Sequence, residues 1–476
     1  MLIGGAMSLL SVFSFVSNAA TWADNGAYSI SWYDKNQTEF QLSSPQELAG
    51  VAYLVNNNFT SFSGQTICLS GDVDLAGREW IPIGTGNTKF KGNFNGNNYS
   101  ILNCVINEAG SYSNTGFWTI LSGNRIENLT YKAQIDDSQP YIGGLAGSAT
   151  DATFSNVSSD CNIKFYRTWG GSTSLHPQYC FGGVVGNSED CTYEKVKVSL
   201  SCEFTFGWSS GSTMFGAVDL ALGGVVGEGF GDSFYMCEAN NDDIEISING
   251  YVADSYYSSS SSSIDYGGIV GSGRSCVVTS CFAKTYNFSG FHNTGTYDGA
   301  SFDYSGIGGN CKTIENSVAQ TYNYTIKGHA YSWVAAWYHT HSTFGGVSGE
   351  TYGTVAGCYS NNDYVKNVSK VGGDNTGESG STSFSVAQMN TQEFVDEINM
   401  YGMLNLDSQN WTLKDGELSL KWDDEEASIE EIECDFNSGD NDYTIYDING
   451  RVLKSLAKGV NIIRYKNGRS KKVLVR

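Results

Sequence analysis

The sequence predicts an all-β protein built as a solenoid of stacked turns. Three observations carry this: a glycine-framed motif returning about every forty residues, period-two alternation between its copies, and 57 glycines against only 4 prolines. The motif reads Tyr141-Ile-Gly143-Gly144-Leu-Ala-Gly147, Phe181-Gly182-Gly183-Val-Val-Gly186, Leu222-Gly223-Gly224-Val-Val-Gly227 and Tyr266-Gly267-Gly268-Ile-Val-Gly271. It degenerates to Tyr304-Ser305-Gly306-Ile307-Gly308-Gly309 and closes as Phe344-Gly345-Gly346-Val-Ser-Gly349. Its last glycines are spaced by 39, 41, 44, 38 and 40 residues. A period of that size marks an array whose units bury their apolar faces only against their neighbours.

Between the markers the elements follow in order. A second short motif appears as Ile126-Glu-Asn128-Leu129, Phe154-Ser-Asn-Val157, Tyr193-Glu-Lys-Val196, Val278-Thr-Ser-Cys281, Ile314-Glu-Asn-Ser317 and Val355-Ala-Gly-Cys358. A third alternation follows it, as in Val196-Lys-Val198-Ser-Leu200 and Ile244-Glu-Ile246-Ser-Ile248. Alternation of this kind is the strand signal, so each repeat should hold three strands of roughly four to six residues. Glycines between them are expected at positive-φ corners and where turns approach closely. Six to eight turns at about 4.8 Å would make a body roughly 30–40 Å long.

A body of this kind leaves strand edges at its two ends, which natural proteins cover. Ser44-Pro45-Gln46-Glu47 is a capping box that opens a helix through about Val55. At the other end Val386 to Val395 reads as helical, followed by Trp411 and a strand-like Glu417 to Trp422. The expected organisation is a signal peptide over 1–19, an N-terminal cap over 20–60 and the solenoid with inserted hairpins over 61–384. A C-terminal cap over 385–422 and an acidic linker with a small β module over 423–476 complete it. Leu9 to Val16 supplies the apolar run, and Ser17-Asn18-Ala19-Ala20 the small residues, of an export signal. No later apolar run reaches membrane-spanning length.

The formal charge is −23, yet Asp442 to Arg476 holds nine basic and two acidic residues. The rest of the chain is therefore near −30, which argues against nucleic-acid partners. The twelve cysteines form no CxxC pair. Cys237, Cys281 and Cys358 share one phase of the repeat. They are expected as small buried hydrophobes in a ladder, with a disulfide staple as the other reading.

The glycine marker resembles the GLUG motif, a repeat of bacterial cell-surface proteins. The similarity extends to Leu75, Trp80-Ile-Pro82-Ile-Gly84, Phe90-Lys-Gly92-Asn-Phe94-Asn-Gly96 and Ile101 to Ile106, and runs from about Ser44 to Trp422. It implies a right-handed parallel β-helix displayed outside the cell, with Ser305 departing from the pattern at the first glycine of the fifth marker. GLUG repeats also accompany a class of zinc peptidases. Those need an HExxH helix, and the only histidines are His176, His292, His329, His339 and His341, in no such arrangement. Ile445-Tyr-Asp-Ile-Asn-Gly-Arg451, with Asn449-Gly450 as a hairpin turn, Gly459 to Ile463, and Lys471 to Arg476 resemble the type IX secretion sorting signal of the Bacteroidota. That resemblance implies the outer-membrane export machinery as a partner.

The repeats differ most between the third strand and the next marker, where the aromatics gather. Tyr166, Trp169, His176 and Tyr179 occupy the first such stretch, and Phe204, Phe206, Trp208 and Phe215 the second. Tyr251, Tyr256 and Tyr257, with a serine tract to Ser263, are followed by Phe291, His292 and Tyr297, then by Tyr331, Trp333, Trp337, Tyr338 and His339. Most should pack against the body as large aromatics do. As recognition surfaces, Trp169, Trp208, Tyr256, Tyr257, Tyr297, Tyr331, Trp333, Trp337 and Tyr338 are the candidate ligand-binding residues, offering rigid area with a polar handle.

His339 and His341 lack an acidic or thiol partner at metal-site spacing. Asn240-Asn-Asp242-Asp243 reads as a solvated turn rather than a calcium site. No cofactor is predicted, and no acid pair stands out as catalytic. The expected function is an exported, surface-displayed binding or adhesion protein, with a glycan or a host or bacterial surface protein as its ligand. The alternatives are a polysaccharide lyase or glycoside hydrolase on the same scaffold, and a structural spacer.

Overall fold

The computed structural model describes residues 20–107, 113–169, 177–208, 218–249, 262–294, 300–330, 342–348, 354–361, 369–371, 381–406, 408–422, 443–447, 452–453, 459–465 and 470–475. They fall into two compact units, Met1–Leu420 and Lys421–Arg476. The first unit is dominated by three parallel sheets among the described residues.

The repeats of the first five markers visit the three sheets in the same order. Tyr141–Gly143 joins the first, Ala146–Thr150 the second, and Thr153–Trp169 a third, long sheet. Gln178–Gly182, Val185–Glu189 and Thr192–Trp208 then pair in parallel with those three. The expectation of three short strands is corrected here. In Arg125–Asp136, Thr153–Trp169 and Thr192–Trp208 the second motif and the third alternation form one element of up to 17 residues, whereas at later levels they are two strands, as in Ser233–Tyr235 and Glu238–Asn249. In both forms the chain bends at a residue of positive φ: Asn128, Asn156, Lys195, Met236, Ser280, Asn316 and Gly357 occupy equivalent points with φ of 50–59°. That bend changes the alternation. Phe154 is buried before Asn156, and Val157, Ser159, Cys161, Ile163 and Phe165 after it.

One buried column shows the register. Phe40, Ile67, Phe94, Ile126, Phe154, Tyr193, Phe234, Val278, Ile314 and Val355 are successive parallel partners across ten levels, more than the markers alone indicate. Within it the Phe154 and Tyr193 rings stack at 5.1 Å and Tyr193 on Phe234 at 4.8 Å.

The paired glycines lie in the bend between the first two sheets. Their role is space rather than φ: none of Gly143, Gly144, Gly182, Gly183, Gly223, Gly224, Gly267 or Gly268 has positive φ. A β-carbon on Gly143 would collide with the Ala146 carbonyl of its own bend, and one on Gly144 with the Gly183 carbonyl of the next level. A β-carbon on Gly147 would meet the Asn114–Thr115 backbone of the level before. The same collisions recur at Gly182, Gly223 and Gly267, and at Gly183, Gly224 and Gly268. The marker is thus the signature of backbones packed without side chains between them.

The fifth marker has a definite register. Ser305 pairs with Gly267, and Gly308 and Gly309 pair with Val270 and Ser272, one residue being skipped between the latter two. The other irregularity expected to be a turn, Asn240 to Asp243, lies within the strand Glu238–Asn249. Pairing jumps from Leu200↔Asn241 to Cys202↔Ile244, so the two acids sit in a bulge. The Ser199 hydroxyl and the Asn287 amide donate to them.

All eleven described cysteines are buried. Their ladder is visible where the Cys237 amide approaches Cys281 Sγ at 3.4 Å. Burial pushes the Cys281, Cys311 and Cys358 thiols up, the last to about 12.

The helix Pro45–Asn56 has both bonds of its capping box and buries Leu48, Val51, Leu54 and Val55. At the other end the expected helix is two, Val386–Met389 and Gln392–Asn405, each started by its own N-cap, Ser385 and Thr391. This segment does more than close an end, because it runs back along the long sheet over four levels. Glu397 accepts from Tyr359, Met389 Sδ from Gln320, and Asn410 donates to Ser280 and Tyr235. Trp411, in the hairpin of Trp411–Lys414 with Glu417–Leu420, packs edge-on against Phe282.

The second unit is a four-stranded antiparallel sheet of Tyr443–Asp447, Val452–Leu453, Gly459–Tyr465 and Ser470–Val475. The Asn449-Gly450 turn and the segment 1–19 lie outside the described residues.

Candidate functional site

The segments expected to carry function leave from one edge of the long sheet. Trp169 and Trp208 are parallel partners at the ends of their strands. Asn249, Asn293 and His329 follow in register, as do Thr294 and Ala330. The chain re-enters the first sheet in register too, with Gln178 beside Asp219 and Asp219 beside Ser263. Departure and return points are therefore stacked at about one strand spacing, roughly 4.8 Å per level.

Of the candidate binding residues, Trp169 and Trp208 are brought together as neighbours by backbone register. Tyr256, Tyr257, Tyr297, Tyr331, Trp333, Trp337 and Tyr338 lie outside the described residues, as do His339 and His341. Other aromatics of these stretches are core. Tyr179, Phe204 and Phe206 are buried, and the Phe181 and Phe204 rings stack at 4.5 Å. Tyr166 differs at 66% exposed, with its hydroxyl accepting from Thr168.

The acids give two arrangements. On the outward side of the first two sheets, Glu228 accepts from Gln178 at 2.6 Å and Asn187 at 3.2 Å. Asp265 and Asp303 are parallel partners on adjacent levels. Asp232 is different, being fully buried and holding the Ser188 hydroxyl and, at 2.8 Å, the Cys191 amide. Removal from water raises its pKa to about 6 against the pull of those bonds, with the charges of Asp190 and Glu189 adding to the rise. It is a structural carboxyl with no open path to a substrate. Among the described residues no three of His, Cys, Asp and Glu lie together as metal ligands.

A cleft of about 500 Å³ opens beside the fifth marker, lined by Arg274, Ser275, Asn310, Cys311 and Lys312. Sequence reasoning missed it. The available signal was the degenerate marker itself, whose missing residue shortens one strand.

No protein-family model, curated protein or solved structure matches this chain. The class defined by fold and site is thus an all-β protein of long parallel sheets with variable segments on one edge.

Proposed function

We propose that residues 61–384 form a right-handed parallel β-helix of the GLUG type, exported and displayed at the cell surface, that binds glycans along its insert-bearing edge. The observation carrying this reading is the register of that edge. Successive aromatic-rich segments leave from stacked strand ends, so their side chains can recur at a fixed spacing, as the units of a polymer do. The order of visits to the three sheets supports the helical architecture. In this reading the C-terminal sheet is the sorting signal presented to the outer-membrane export machinery. No helix among the described residues is long and apolar enough to cross a membrane.

The test runs the full chain on a panel of polysaccharides, scoring retention in affinity gels and release of new chain ends. Retention without cleavage, abolished by Trp333→Ala or Trp337→Ala, is expected. A chain that is never retained, or variants that bind as well as the parent, would refute the glycan reading. Surface display that persists after deletion of residues 425–476 would refute the sorting role.

The polysaccharide-cleaving alternative draws on the Asp265–Asp303 neighbours, since glycoside hydrolysis uses two carboxylates facing one cleft. New chain ends lost in Asp303→Asn would establish it.

A further inference from the structure

The second sheet carries an interruption that the rest of the fold does not need. At four successive levels its strand has five residues: Ala146–Thr150, Val185–Glu189, Val226–Phe230 and Val270–Arg274. At the next level it has two, Gly308–Gly309. Pairing ends at Ser272↔Gly309, and the chain turns at once through Asn310, at φ 56°, into Cys311 and Lys312. Arg274 consequently has no strand partner beyond it among the described residues, and the cleft fills that gap.

Its chemistry is mixed in an informative way. Arg274 and Lys312 are both exposed, and neither has an ion-pair partner among the described residues. Two unpaired cations side by side are unusual in a body with 18 basic and 48 acidic residues over positions 1–441. Asn310 Oδ1 is buried with no donor among the described residues, which costs free energy unless a ligand or water supplies one. Phe230, the parallel partner of Arg274 on the preceding level, is 51% exposed. Single exposed aromatics are ordinary, and so are surface cations. Two unpaired cations and an orphan acceptor lining one cleft, with an exposed ring on the strand next to Arg274, are not.

We infer that this cleft binds a negatively charged sugar unit. The anionic group would lie between the Arg274 guanidinium and the Lys312 ammonium, as charge-assisted hydrogen bonds favour. The apolar face of the sugar would extend past Arg274 onto Phe230 of the neighbouring strand. Inorganic phosphate fits less well, having no apolar face for Phe230. A carboxylate and a sulfate ester share the required chemistry. The inference takes its ligand class from the glycan-binding reading, but its site is independent of the insert edge.

The test compares retention of the full chain in gels of polygalacturonate (carboxylate only), dextran sulfate (sulfate only) and dextran (neutral). Retention by one or both charged polymers but not by dextran is expected, and which one binds identifies the anion. The Arg274→Gln/Lys312→Gln variant should weaken that retention about tenfold or more, the equivalent of 1.4 kcal/mol. Phe230→Ala should weaken it roughly fivefold. All three side chains are exposed, so the thermal midpoint should hold. Lys132→Gln/Lys164→Gln removes two charges elsewhere on the body and should leave retention intact.

Equal loss in that control, or undiminished retention in the Arg274/Lys312 variant, overturns the proposal. Retention by dextran alone, abolished by Trp333→Ala, would overturn it while leaving the glycan-binding reading standing. Failure of every polymer would remove both.

Discussion

The early and late levels of the long sheet share one core but not one length. From Phe40 through Ile67, Phe94 and Ile126 to Phe154, successive column residues are 27, 27, 32 and 28 apart; from Phe154 through Tyr193, Phe234, Val278 and Ile314 to Val355 they are 39, 41, 44, 36 and 41 apart. The added residues do not enter the column. Asp136 ends its strand opposite Lys164, whose own strand runs on to Trp169 and pairs with its neighbour all the way to Trp208. About twenty-eight residues thus suffice for one level, and the surplus is spent at one edge. A packed interior tolerates little change of volume, whereas surface connections absorb length at small cost. Variation is accordingly confined to the edge assigned here to binding.

The largest test of a common core is steric. Gly224→Val would drive a side chain into the Gly268 carbonyl and Ala239. It should cost more than about 4 kcal/mol, an exceptional value for one substitution, and abolish cooperative urea unfolding. At Gly123, which has positive φ and open space around it, alanine should cost only about 1 kcal/mol.

Phe94→Ala and Phe234→Ala then compare an early with a late level. Each should lose about 3–5 kcal/mol for a buried phenylalanine. Equal losses in chemical denaturation would make the two regions one cooperative core, and a loss below about 1 kcal/mol in either would separate them.

Asp232 belongs to the late levels only. Its folded-state pKa of about 6 lies above the ordinary 3.8, so its contribution is fully present below pH 3.8 and is lost as the pH rises through 6. Asp232→Asn should keep the Cys191 bond on its oxygen, reverse the other so that its amide donates to the Ser188 hydroxyl oxygen, and stabilise the protein at pH 8 by up to about 3 kcal/mol. Thermal midpoints of the variant measured from pH 4 to 8 should flatten relative to the parent; an unchanged slope would refute the assignment.

The smallest effect concerns the bend. Lys195→Gly relieves a left-handed residue at φ 54° and should gain about 0.5–1 kcal/mol. Asn128→Gly should gain less, because Asn tolerates that region and donates to Asn95 there.

Much of this architecture was legible because it rests on local rules. The capping box needs only four residues, and alternation names the buried positions of a strand. Periodicity also located the variable segments. The rest depended on contacts between levels. The positive-φ corners expected at glycines are found at Gly123, Gly231 and Gly357, but the bend of the long sheet falls mostly on other residues, among them Asn156, Lys195, Met236 and Ser280. The early levels carry no marker, so their membership in the column shows only through pairing. The cleft beside Arg274 is made by a residue that is absent from the fifth repeat, a signal that becomes spatial only when that repeat is set against the one before.

By itself the sequence determined the all-β class, the period and the edge at which the repeats differ, since hydrophobic alternation and glycine spacing are written along one chain. Tertiary structure alone decided that the marker glycines serve close packing, that the C-terminal helices lie back along the long sheet, and that Arg274, Asn310 and Lys312 line one cleft. Those facts arise between residues tens of positions apart, and only the register of parallel strands brings them within reach of one another.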